Sequence, residues 1–258
     1  MKLAPVLFLA HGSPMNAIAD NSFTQMLLQL GQKLATPKAI LCISAHWFTR
    51  GTQVSTVKNP PMIYDMLGFP QELYQIKYQS PGYPKMFDHI KDAVGNFASV
   101  SANKTRGYDH GMWSIFTHLH PHAKIPVAQM SIDFSNSLQE HYDLAKKLIT
   151  LREQDIMIVA SGNITHNLNY VDFNNYNALP IEWAQSFDLQ IKKLLDDKNH
   201  KALINYATLN HAHLAVPEPS HFIPLIYTIG LQQEDEKVKY LYQRFEYSSL
   251  SMRSFQLA

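Results

Sequence analysis

The sequence is short of cysteine, of charge and of glycine-rich signatures, and each shortage removes a class of function. Its single cysteine, Cys42, lies in the apolar run Ala39-Ile40-Leu41-Cys42-Ile43. One cysteine excludes an intramolecular disulfide and any cysteine-built zinc or iron–sulfur centre, so Cys42 reads as a small buried hydrophobe. Charged residues make up only 17%, and 22 Lys+Arg against 21 Asp+Glu leave a formal charge of +1. Without a block of like charges there is no footprint for a nucleic-acid backbone or an anionic membrane. No window approaches the roughly 18 uninterrupted apolar residues of a membrane span. The apolar stretch Pro5 to Ala10 runs into His11-Gly12-Ser13-Pro14 without a small-residue cleavage pattern. It therefore reads as a strand and not a signal peptide, and the expected location is the cytoplasm. Gly-x-Gly-x-x-Gly, a phosphate loop, Gly-x-Ser-x-Gly and His-Glu-x-x-His are all missing, which weakens nucleotide-enzyme and serine-hydrolase readings.

What is present is an alternation of buried strands and helices. Pro5 to Ala10, Ala39 to Ala45, Pro126 to Ile132 and Asp155 to Ala160 are largely apolar runs, as expected for strands covered on both faces. Helical patterns fall between them: one opening at Ser22 with Gln25 as a capping pair, then about 84 to 95, 138 to 151, 180 to 197 and 219 to 230. Short strands are expected at Phe97 to Val100 and Lys237 to Phe245. Residues 59 to 84, rich in proline, glycine and aromatics, form a long structured excursion of the kind that walls a pocket. No repeat or domain boundary interrupts the pattern. The expectation is an α/β fold, a single domain over residues 1–258 with a mostly parallel central sheet flanked by helices.

Histidine is abundant, at 13 of 258 residues. His11 and His46 follow or end apolar strands, and His166 lies a few residues past a third. In a parallel sheet, ligands bind at the carboxyl ends of the strands, so these three can converge on one cleft and share a metal. His221 sits where a helix begins, with Glu218 three residues upstream; it either completes the site or is a cap neighbour beside a solvated carboxylate. Asp109-His110-Gly111 offers a carboxylate–histidine pair suited to acid/base work. His118, His120 and His122 read as surface or helix-end residues, His211 and His213 as peripheral, and His89, His141 and His200 as solvated.

Five ordered motifs resemble those of the class III extradiol ring-cleavage dioxygenases, in the DOPA 4,5-dioxygenase branch. They are Leu9-Ala10-His11-Gly12-Ser13-Pro14, Ser44-Ala45-His46-Trp47, Tyr108-Asp109-His110-Gly111-Met112-Trp113, Ser161-Gly162-Asn163-Ile164-Thr165-His166-Asn167-Leu168 and Glu218-Pro219-Ser220-His221-Phe222-Ile223-Pro224-Leu225. The resemblance implies that His11, His46 and His221 are the metal ligands. It makes His166 an acid/base histidine near the metal and His110 a second pocket histidine. Non-haem Fe(II) is the implied working metal; Zn2+ sometimes occupies the same site, and His166 can then count as a further ligand. Val216-Pro217 stands where many relatives carry His-Pro, which bears on substrate preference more than on the metal.

The implied reaction opens a catechol with O2 to a muconic semialdehyde. Fe(II) with few protein ligands keeps positions open for both reactants, while a third histidine in place of a carboxylate leaves the site more positive and favours a catecholate. Zn2+ has no accessible redox state, so a zinc-filled copy binds catechol without cleaving it. Trp47, Tyr108 and Trp113 either wall the substrate ring or belong to the core. The partners are then a small catechol and O2, with no nucleic acid or membrane; a homo-oligomer is compatible with all of this. Two rivals use the same histidines: a zinc hydrolase, and a non-catalytic metal- or phenol-binding protein.

Overall fold

Strands buried on both faces must be apolar throughout, and this governs the centre of the molecule. The computed structural model describes residues 3–258. Its strands are β1 (Val6–Ala10), β2 (Ala39–Thr49), β3 (Thr52–Ser55), β4 (Val100–Asn103), β5 (Val127–Asp133), β6 (Ile156–Gly162), β7 (Val238–Tyr242), β8 (Phe245–Glu246), β9 (Leu250–Ser251) and β10 (Ser254–Leu257). Its α-helices are α1 (Ser22–Lys33), α2 (Met86–Val94), α3 (His110–Leu119), α4 (Leu138–Lys147), α5 (Ile149–Glu153), α6 (Glu182–Asp196), α7 (His200–Ile204), α8 (Ala212–Ala215) and α9 (Ile223–Gly230). Eight strands form one sheet in the order β4-β3-β5-β2-β6-β1-β10-β7. The middle four, β5-β2-β6-β1, pair in parallel, and every residue of β1, β5 and β6 is buried.

Alternation along β1 divides the core between the two faces. Val6 and Phe8 pack with residues of α2, α4, α6 and α9, whereas Leu7 and Leu9 pack with residues of α1 and α3. This is the α/β architecture expected from the sequence, with helices on both faces. Outside the parallel centre, β3 meets β5 and β10 meets β1 in antiparallel pairs. Among the described residues no helix is long and apolar enough to cross a membrane.

Several local expectations shift. The cap of α1 is Asn21, which accepts from the backbone N–H groups of Phe23 and Thr24, so the capping box lies one residue before Ser22 and Gln25. The strand expected at 97 to 100 runs over 100–103, and the helix expected over 138 to 151 breaks at Leu148. His141 is not solvated: α4 packs against α9, burying its ring, and its Nδ1 lies 2.9 Å from the Tyr227 hydroxyl.

Candidate active site

The parallel register aligns the carboxyl ends of β1, β2 and β6, with Ala10 opposite Gly162 and Ser44 opposite Ser161. His11 follows β1 directly. In β2 the pairing with β5 jumps from Ile43↔Met130 to Phe48↔Ile132, so Ser44 to Trp47 bulge from the ladder and His46 rides on the bulge. His221 ends a short 3-10 turn, Pro219–His221, whose carbonyl accepts from the Asn163 N–H just past β6. Gly162 makes that approach feasible, since a Cβ there would lie 2.3 Å from the His221 carbonyl oxygen.

Three imidazoles meet at this point. The ring centroids of His11, His46 and His221 are 4.9–5.0 Å apart, and one nitrogen from each lies within 4.8 Å of the others. The Nε2 atoms of His11 and His46 face each other at 3.1 Å. His166 stacks flat on His221 at 3.6 Å between centroids, with its backbone N–H donating to the Ala215 carbonyl. His110, the first residue of α3, has its ring centroid 3.8 Å from that of His46. All five histidines singled out in the sequence thus fall in one cluster.

The hydrogen bonds behind two rings fix where their protons sit. Ser161 Oγ donates to the Gly111 carbonyl, so it must accept from His11 Nδ1 at 2.9 Å. Ser220 Oγ donates to the Glu218 carboxylate and therefore accepts from His221 Nδ1 at 3.1 Å. In both rings Nε2 is left with a lone pair pointing into the cluster, and His221 Nε2 is buried with no hydrogen-bond partner among the described residues. Burial, then mutual repulsion among the rings, holds His11, His46 and His221 below the ordinary histidine range. The same causes bring His166 down to about 4. At neutral pH these four are uncharged, the form that binds a metal or accepts a proton.

Behind the cluster, Asp109 caps α3, accepts from Ser44 Oγ at 2.7 Å and Gln129 Nε2 at 2.8 Å, and pairs with Arg106. It acts as a buried brace tying α3 to β2 and β5. The pocket carboxylate that the sequence did not single out is Asp65, from the excursion 59 to 84. Its Oδ1 accepts from the His110 backbone N–H at 3.0 Å and from His110 Nδ1 at 2.9 Å, and its Oδ2 lies 3.4 Å from His46 Nδ1. Burial alone would raise this carboxyl; the His110 hydrogen bonds and the two histidines outweigh it and hold Asp65 at about 2. Glu218 is exposed, as one reading of the sequence expected, and it also caps the Pro219–His221 turn and accepts from Ser220 Oγ, which sets the His221 proton.

The aromatic candidates are placed differently. Trp113 is fully enclosed and donates from its indole to the Ile63 carbonyl, and Tyr108 is enclosed and donates to the Val127 carbonyl. Trp47 lies under the Arg106 guanidinium, 5.0 Å from its ring centre. In this structure all three are buried, and none presents a broad open face.

Residues 5–257 match the family model described as the catalytic LigB subunit of aromatic ring-opening dioxygenase. The chain belongs to this family. It is 39% identical over 256 residues to the protein named 4,5-DOPA dioxygenase extradiol of Escherichia coli (strain K12), covering 98% of this chain and 94% of that protein. A protein of the same name from Beta vulgaris is 35% identical over 254 residues, covering 96% and 94%. The crystal structure of an uncharacterized Escherichia coli K12 protein superposes with a TM-score of 0.86 at 35% identity, covering 99% of this chain and 100% of that one. The protein is therefore an extradiol ring-opening dioxygenase of class III, on the DOPA dioxygenase branch. Its reaction takes a small aromatic substrate and O2, and its family is metal-dependent.

Proposed function

We propose that this dioxygenase opens a DOPA-like catechol to a muconic semialdehyde, using Fe(II) held by His11, His46 and His221. The observation that carries the reading is the proton arrangement of the cluster. Ser161 and Ser220 leave the Nε2 lone pairs of His11 and His221 unprotonated, and His46 Nε2 closes on His11 at 3.1 Å. Neutral nitrogens converging on one point are the donor set a metal cation takes, and imidazole suits Fe(II) as well as Zn2+. The names of the sequence relatives, 4,5-DOPA dioxygenase extradiol, support the catechol class; side chains of the segments 60 to 84 and 206 to 217 set the choice within it.

Bound Fe(II) would supply open positions where a catecholate and O2 meet and a path by which electrons pass from the catecholate to O2. The chain's own residues handle protons and position. His166, uncharged and beside His221, takes the second phenolic proton at a ring nitrogen. His110 has its Nδ1–H engaged by Asp65, which leaves Nε2 to accept a proton and hand it back as the ring opens. Zn2+ in the same histidines holds the substrate without turnover, with His166 as a further ligand. The enzyme works in the cytoplasm as one catalytic domain over residues 1–258. The test is O2 uptake with appearance of the ring-opened semialdehyde after Fe(II) loading, compared with Zn2+ loading; activity under both metals, or under neither, counts against the reading.

A further inference from the structure

We propose that Asp65 is a positioning residue that sets the tautomers of two active-site histidines at once, leaving Nε2 of His46 free for the metal and Nε2 of His110 free for protons. This rests on the proposed roles of His46 and His110. One carboxylate reaches both rings: Oδ1 accepts from His110 Nδ1 at 2.9 Å and Oδ2 faces His46 Nδ1 at 3.4 Å. An ionised carboxylate only accepts hydrogen bonds, so it favours a proton on each facing Nδ1. Each Nε2 is then the lone-pair nitrogen, which is how carboxylates behind metal-ligating histidines act. Asp65 is itself fixed, because its Oδ1 also accepts from the His110 backbone N–H at 3.0 Å.

That backbone N–H makes the inference testable, because it is a donor with no alternative state. In Asp65→Asn the amide oxygen must keep facing it, since the flipped amide would set NH2 against N–H. The amide nitrogen then faces His46 Nδ1 and donates to it, moving the His46 proton to Nε2 and blocking the ligand atom. Asp65→Ala removes the bias without reversing it. The near-isosteric substitution should therefore harm metal binding more than the truncation, the reverse of what a packing role predicts.

The experiment titrates Co2+ into wild type, D65N and D65A, following visible absorbance, with folding checked by circular dichroism. The expected loss of Co2+ affinity is about 10-fold for D65A and about 100-fold for D65N. D65N binding Co2+ as well as or better than D65A overturns the proposal. Should D65N fail to fold, nitrogen-15 correlation spectra of Zn2+-loaded wild type decide: His46 and His110 protonated at Nδ1 support it, and protonation at Nε2 of either overturns it. If wild type itself binds no Co2+ at the histidine cluster, the metal-site reading fails. If wild type binds and only the D65N ordering is wrong, Asp65 alone is misassigned.

Discussion

Burial keeps the imidazoles of His11, His46, His166 and His221 neutral, and both of the tasks proposed for them require neutrality. Replacing a ligand and replacing a proton acceptor should thus fail differently. His11→Ala, His46→Ala or His221→Ala is expected to abolish retention of Fe(II) and with it activity, read as metal content after gel filtration. His166→Ala is expected to keep catechol binding while kcat falls about 100-fold or more; equal losses in binding and turnover would make His166 mainly a ligand. Away from the ligands, Glu246 is buried against Asn16 and Tyr176, and burial raises its carboxyl from 4.5 to about 7. The folded state then binds an extra proton between these values, so stability is greatest below pH 4.5 in this one contribution and falls as pH rises through about 7. Glu246→Gln should be more stable than wild type at pH 8, by up to about 3 kcal/mol, and should lose that advantage near pH 5; thermal melts at the two pH values check it. The five histidines were legible because each stands beside a strand or a motif. Asp65 was not, because a carboxylate within a long irregular loop has no period to mark where it points.

Elements place these residues through close backbone approaches. At the end of β6, Gly162 lets the His221 turn lie against the strand; at the start of α3, a Cβ on Gly111 would lie 2.5 Å from Ser44 Oγ and 2.8 Å from His46 Cδ2. Gly162→Ala and Gly111→Ala are expected to weaken Co2+ affinity at least 10-fold through displaced His221 and His46. Wild-type affinity in either variant would show that the backbone absorbs the methyl. The central strands could be read from their largely apolar runs, which only a two-sided burial explains. β10, Ser254–Leu257, could not: Ser254 is buried because its hydroxyl accepts from the Ala10 N–H, a pairing that sequence separation hides. The bulge in β2 was equally invisible, since Ser44 to Trp47 reads as the end of a strand until β5 is laid beside it.

At the scale of the molecule, two buried ion pairs hold the closing segments to the sheet. Arg253 pairs with Asp188, joining the approach to β10 to α6. Arg152 pairs with Glu236 and donates to the carbonyls of Ala4 and Leu231, each at 2.8 Å. Arg152 lies at the amino ends of the parallel strands, opposite the histidines. Arg152→Leu leaves Glu236 and two carbonyls without their donor, at a cost of about 3–5 kcal/mol. Its Tm should fall while the folded fraction binds metal as wild type does; a matching loss of metal affinity would mean that the two ends of the sheet are coupled. The central claim, that the histidine cluster uses Fe(II) to open a catechol, is tested most directly by anaerobic loading with Fe(II), then DOPA and air. The expected result is O2 uptake stoichiometric with a yellow ring-opened semialdehyde, absent with Zn2+ and absent in His46→Ala. Unchanged turnover with Zn2+ or in His46→Ala, or DOPA bound at the Fe(II) site with no O2 consumed, would contradict it.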